Sequence, residues 1–260
     1  MVLEPLQYGL GLFSGSLVGF SLGLVGGGGS ILAVPLMVYL VGVESPHVAI
    51  GTSALAVAAN AATGLASHAR EHTVKWRCGG MYAASGIVGA LLGSTLGKAV
   101  DGHKLLFLFA LVMIGVGIVM LRGRKAQGVP GAQCNRENAA KVLSYGLGTG
   151  TFSGFFGIGG GFLIVPGLVA STRMPIINAV GTSLVAVTAF GLTTATNYAF
   201  SGLVDWVLAG VFVAGGIAGG FAGTAVAKRL SGGGQLTTVF AGLIFVVAAY
   251  MLWKSAAAFA

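Results

Sequence analysis

Charge is scarce in this chain: of its 260 residues only 8% are charged, whereas 55% are hydrophobic and mean hydropathy is +0.92. An ordinary soluble domain has about a quarter of its residues charged, so that class is excluded. Apolar runs recur along the whole length, which leaves room for several membrane spans and none for a second, soluble domain. Acids are rarer still. The six of them (Glu4, Glu44, Glu71, Asp101, Glu137 and Asp205) fall in loops or at span ends. Intramembrane carboxylates mark proton relays, and none is expected here. Ion coupling would then need backbone carbonyls and hydroxyls, a histidine near a surface, or a substrate carrying its own proton. Passive or exchange transport is the other option, and the coupling ion stays open. Cysteine is limited to Cys78 and Cys134, without metal-ligand spacing and in or beside loops assigned below to the cytoplasm, so no disulfide is expected. His68 and His72 share a helical face, but beside Arg70 they read as an interfacial loop. No nucleophile–base pair or metal cluster can be assembled, which argues against an enzyme and implies no cofactor. Nothing basic precedes the first apolar run, so that run is expected to belong to the fold and not to a secretory signal.

Glycine, in contrast, is abundant at 46 residues, and its placement is duplicated. Gly26-Gly27-Gly28-Gly29-Ser30-Ile31-Leu32-Ala33-Val34-Pro35 reappears as Gly157-Ile158-Gly159-Gly160-Gly161-Phe162-Leu163-Ile164-Val165-Pro166. At an offset of 131, Gly15, Gly19 and Gly23 also fall on Gly146, Gly150 and Gly154. At an offset of 130, Gly51-Thr52-Ser53, Trp76, Gly86, Gly89, Gly93 and Lys98 fall on Gly181-Thr182-Ser183, Trp206, Gly216, Gly219, Gly223 and Lys228. Two copies, 1–122 and 140–260, therefore flank a linker at 123–139.

The fold class that follows is an all-α polytopic membrane protein with about five apolar segments per copy. They run 8–25, 30–42, 47–69, 78–97 and 105–121, then 142–157, 162–172, 176–200, 206–227 and 235–253. Segments 30–42 and 162–172 are too short to span, at about 1.5 Å per residue. The polar stretch 122–141 carries Arg122, Arg124, Lys125, Arg136 and Lys141, which places it in the cytoplasm. Threading outward puts eleven of the fourteen basic residues inside, leaving Lys98, Lys104 and Lys254 outside, with both termini outside. The net charge of +8 thus reflects topology and implies no nucleic-acid partner. An odd number of segments inverts the second copy relative to the first. The inversion survives if the first two segments of each copy form a re-entrant hairpin. Inverted-topology repeats with Gly/Pro-interrupted segments point to a secondary transporter.

Both glycine clusters end inside the hydrocarbon layer, where irregular backbone is tolerated only if buried or lining a cavity. A helix is expected to begin past each, near Ser30 and near Gly161, and two opposed helix N-termini make a site for a small anion. The candidate substrate-binding residues are Gly26, Gly27, Gly28, Gly29, Ser30, Gly157, Gly159, Gly160 and Gly161. The hydroxyls of Thr52, Ser53, Thr182 and Ser183 either donate to substrate or bond back to the preceding helical turn. Asn60 and Asn197, polar groups within spans, line the path or tie helices together. Gly15/Gly19/Gly23 and Gly146/Gly150/Gly154, at small-xxx-small spacing, are expected to pack helices.

The two glycine clusters, their trailing Pro35 and Pro166 and the paired Gly-Thr-Ser resemble the TauE/SafE sulfite exporter family, also called the toluene sulfonate uptake permease family, over roughly residues 9–254. That resemblance implies a bacterial inner-membrane carrier of small sulfur-containing anions such as sulfite, sulfoacetate or related sulfonates and carboxylates. The first cluster ends Gly-Ser where the second has Gly-Gly, so the half-sites need not be equivalent. An anion channel and a non-transporting scaffold are the alternatives. The partners expected are the substrate anion and the lipid bilayer, with an oligomer open.

Overall fold

The computed structural model describes residues 4–122, 129, 131–132, 134–229, 242 and 244–254. Among these, all regular structure is helical: α1 (Pro5–Val25), α2 (Ala33–Pro35), α3 (Pro46–Arg70), α4 (Trp76–Ala99), α5 (Gly102–Arg122), α6 (Arg136–Phe156), α7 (Gly161–Thr172), α8 (Ile176–Ala199), α9 (Trp206–Arg229) and α10 (Ile244–Lys254). A 3-10 stretch, Gly26–Leu32, leads into α2, and a π turn, Leu36–Leu40, follows it. Pro35 lacks the N–H of a normal i→i−4 bond, and a widened turn is one way to absorb that loss. Part of the expected segment 235–253, and Arg124 and Lys125 of the linker, lie outside the described residues.

Local chemistry sets the ends. Ser45 Oγ accepts the Val48 N–H at 3.4 Å, with Pro46 at the first helical position of α3. Asn135 and Asn138 form a reciprocal capping box on α6. Asp101 Oδ1 accepts the N–H groups of His103 and Lys104 at 3.1 Å each at the start of α5. The backbone bond from Lys104 contributes most to holding the Asp101 carboxyl below its usual range.

Among the described residues, four helices are long and apolar enough to cross a membrane: Pro46–Arg70, Trp76–Ala99, Ile176–Ala199 and Trp206–Val226. The 12 residues of α7 reach about 18 Å, well short of a bilayer core. Bulky apolar side chains stay exposed on the outer helix faces, for example Leu12 and Phe13 on α1, Val88, Leu92 and Leu96 on α4, and Phe221 on α9. Trp76, Trp206 and Trp253, all exposed at helix ends, suit the interfacial aromatic belt. This chain is a multi-pass membrane protein.

Glycine seams hold the bundle. Gly15, Gly19 and Gly23 of α1 press on backbone at Phe212, Gly216 and Gly220 of α9, and Gly219 and Gly223 press back on Ser16 and Phe20. On the other side, Gly146, Gly150 and Gly154 of α6 meet the backbone of Tyr82, Gly86 and Ala90 on α4. The small-xxx-small glycines do pack helices, as their spacing suggests. Helices α3 and α8 cross antiparallel in the interior: Gly51 lies by Tyr198, Ala54 and Ala58 by Gly191, and Gly64 by Leu184.

One expectation is overturned. Cys78 and Cys134 form a disulfide, with Cα atoms 5.3 Å apart across 56 residues. The α4–α6 seam is the cause, because it brings the first turn of α4 beside the chain entering α6. Compartment reasoning from sequence had no access to that proximity.

Candidate functional site

Each glycine cluster turns the chain back on the helix before it. Gly29 lies against the backbone of Ser21 and Leu22 on α1, and Gly160 lies against Ser153 on α6. In a continuous helix, residues seven apart would be separated by about 10 Å, so both contacts require a reversal. Any side chain at Gly29 would meet main-chain atoms, which is why the turn needs glycine there.

The two reversals are built differently. In the second, Gly157 closes α6 at φ +67°, Gly159 and Gly160 follow at φ +64° and +63°, and α7 starts at Gly161 as expected. In the first, a 3-10 stretch, Gly26–Leu32, carries the turn and a short apolar helix runs from Gly29 to Leu40, so the helix expected near Ser30 is present, wound tightly at its start. The asymmetry follows from composition: an uninterrupted Gly26–Gly29 run can wind tightly, whereas Ile158 is fully buried and anchors the second turn. The 3-10 stretch that holds the first cluster packs on α7, the helix that follows the second cluster, and on α8.

The second reversal reaches the middle of α3 and α8. Gly159 touches Val57 of α3 and Val187 of α8, residues 130 apart, each near the middle of its helix. One turn beyond Val57 stands Asn60, 5% exposed, whose amide nitrogen and oxygen both lack a hydrogen-bond partner. The Asn60 amide lies against Gly216 of α9, one helical turn along α3 from the Gly159 contact. Ser153, fully buried beneath Gly160, also has a hydroxyl with no partner. Leaving a buried polar group unpaired costs about 1–3 kcal/mol, which makes these groups candidates for binding a polar ligand. Ser30 is fully buried at the first reversal.

The Gly-Thr-Ser pairs have another use. Ser53 Oγ bonds back to the Ile50 carbonyl at 3.0 Å, and Ser183 Oγ to the Val180 carbonyl at 2.7 Å. Thr52 Oγ1 accepts the Asp205 N–H at 2.9 Å, and Thr182 Oγ1 accepts the Lys75 N–H at 2.9 Å. Each threonine thus satisfies a donor at the start of α9 or α4, in the opposite copy of the repeat. Gly51 and Gly181 let these junctions approach: Gly51 lies under the Leu203 carbonyl and Gly181 beside Thr73 and His68. Asn197 stands apart from the glycine clusters, ten residues or about 15 Å along α8 from Val187. It accepts from Lys98 Nζ at 2.9 Å and donates to Ser94 Oγ at 2.6 Å.

Sequence reasoning missed Ser153, Ser14, Thr194, Tyr198 and His47, each with a buried polar atom lacking a partner. Only burial singles them out, and no sequence spacing did. Among the described residues, no group of three His, Cys, Asp or Glu side chains is placed to hold a metal ion.

Comparison with known proteins agrees with this architecture. Over 264 residues the chain is 50% identical to a probable membrane transporter protein of Xylella fastidiosa (strain 9a5c), covering 98% of each. It is 27% identical to the probable membrane transporter protein YunE of Bacillus subtilis, over 85% of this chain and 87% of that one. A probable membrane transporter protein of Methanocaldococcus jannaschii is also 27% identical, over 65% of each. No solved structure matches. The family model described as sulfite exporter TauE/SafE matches residues 11–251, and this multi-pass helical bundle with its two glycine reversals belongs to the TauE/SafE family of membrane transporters.

Proposed function

We propose that this protein is a secondary transporter that carries a small anion, a sulfur oxyanion such as sulfite or sulfoacetate, by alternating access between two inverted repeats. The observation carrying this reading is reciprocal packing between the halves. Helix α1 packs on α9 while its counterpart α6 packs on α4, and α3 and α8 pack on each other. Equivalent residues hold equivalent posts: Thr52 to Asp205 answers Thr182 to Lys75, and Gly29 on Leu22 answers Gly160 on Ser153. Such pairing supports pseudo-two-fold symmetry with its axis near Val57, Val187 and Gly159, where transporters of this design bind substrate.

At that point the substrate takes backbone N–H groups from Gly26–Ser30 and Gly157–Gly161, with Asn60 and Ser153 completing its shell. Helix and turn N–H groups favour negative charge and tolerate either a sulfonate or a carboxylate. Thr52 and Thr182 act as latches on opposite sides of the site. In alternation, one junction loosens while the other stays closed. Both termini face outward and 122–141 faces the cytoplasm.

Counter-flow in proteoliposomes tests this. Unlabelled sulfite trapped inside accelerates entry of labelled sulfite through a carrier. Absence of acceleration together with an electrical conductance selects the channel, and absence of any flux for sulfite, sulfoacetate or short carboxylates leaves the scaffold.

A further inference from the structure

A second polar cluster lies at the end of the bundle that carries Asp101 and Asp205, far from the glycine hairpins. Lys98, near the C-terminus of α4, donates to the Asn197 carbonyl at 3.0 Å, to Asn197 Oδ1 at 2.9 Å and to Ser201 Oγ at 2.8 Å. All three acceptors are neutral. The ammonium also sits 5.9 Å from the centre of the Tyr198 ring, within cation–π range. Tyr198 in turn lies 6.3 Å, ring to ring, from His47 in the first turn of α3.

Capping the end of α8 accounts for Lys98, because cations favour helix C-termini. It does not account for its neighbours. Tyr198 is fully buried and its hydroxyl has no partner, and His47 Nδ1 is buried and likewise unpaired. At the equivalent place in the first repeat stands His68, whose Nδ1 is bonded to Thr73 Oγ1 at 2.9 Å. The unsatisfied arrangement therefore belongs to one end of the molecule. Among the described residues Lys98 has no acidic partner, and it stands over the ring of a tyrosine whose hydroxyl is buried and unpaired and which neighbours a buried ring nitrogen, a set with the chemistry of a small-oxyanion site.

We propose that Lys98, Tyr198 and His47 form an outer capture site for the transported oxyanion, distinct from the central glycine site. Ser201 is exposed, and its hydroxyl is the Lys98 partner that an arriving anion displaces. The anion then takes an N–H from Lys98 and the O–H of Tyr198 before the outer Thr52–Asp205 junction opens. This inference rests on the anion-carrier reading above.

The test uses labelled sulfite offered to the outer face of right-side-out membrane vesicles. Lys98→Met is expected to raise the outer KM about tenfold, the loss of one charge-assisted hydrogen bond, with the saturating rate unchanged. Lys98→Arg is expected to restore it. Tyr198→Phe is the decisive variant, because the hydroxyl it removes bonds nothing among the described residues. Its melting temperature should hold or rise while its KM rises with that of Lys98→Met. Unchanged KM in Tyr198→Phe and Lys98→Met, with wild-type flux intact, overturns the capture site and leaves the carrier standing. A lowered melting point in Lys98→Met with unchanged KM reduces Lys98 to a helix cap. A wild type that carries neither sulfite nor sulfoacetate overturns the carrier reading, and this site with it.

Discussion

At the scale of single residues, the informative side chains are those whose polar atoms go unanswered. Asn60 is nearly isosteric with leucine and has neither amide atom bonded. Asn60→Leu therefore removes a desolvation penalty and no hydrogen bond among the described residues, and a side chain of similar shape still packs on Gly216. We expect it to keep or raise thermal stability, by up to about 1–3 kcal/mol, while sulfite flux falls at least about tenfold. Thermal melting and proteoliposome uptake, measured on one preparation, check both halves. Loss of stability instead would make Asn60 a structural residue. Thr52 and Thr182 are the opposite case, since each hydroxyl already has its donor. Their pairing was visible in sequence as a repeated Gly-Thr-Ser, but the partners Asp205 and Lys75 were not. Those partners lie 153 and 107 residues away.

At the scale of elements, glycine performs two tasks that the same letter hides. Gly150 meets the backbone of Gly86, whereas Gly148, two positions earlier on the same helix, has nothing within 4 Å. Gly150→Leu must push α6 off α4, and overpacking of this kind costs about 1–3 kcal/mol or prevents assembly. Gly148→Leu places a leucine on an exposed face and should leave the stability within about 0.5 kcal/mol of wild type. Parallel melts of the two variants decide it, and equal destabilisation would refute the seam. The glycines of the reversals are under a different constraint. Gly157, Gly159 and Gly160 have positive φ, where an L side chain is strained whatever the space.

At the scale of the whole molecule, the central proposal is inversion. In a background lacking Cys78 and Cys134, single cysteines at Asp101 and Ser201 should react with a membrane-impermeant maleimide added outside intact cells. Cysteines at Arg70 and Arg173 should react only after permeabilisation. Asp101 and Ser201 belong to different repeats, as do Arg70 and Arg173, so this pattern needs the halves to be oppositely threaded. Labelling of Arg70 from outside would break the topology, and with it the alternating-access argument.

The sequence by itself determined the membrane class, the short segments after each glycine cluster and the family, and it displays the repeated motif on which the two-copy reading rests. Hydropathy, length and an ordered repeat are local or self-referential properties, and a single chain displays them completely. Tertiary structure decided which copies meet. It paired α1 with α9 and α4 with α6, joined Cys78 to Cys134, and set Gly159 between Val57 and Val187. It also separated Asn197 from the glycine site and left Asn60, Ser153 and Tyr198 unsatisfied. Whether a buried polar atom has a partner depends on residues far away in the chain, and no spacing along the sequence encodes that.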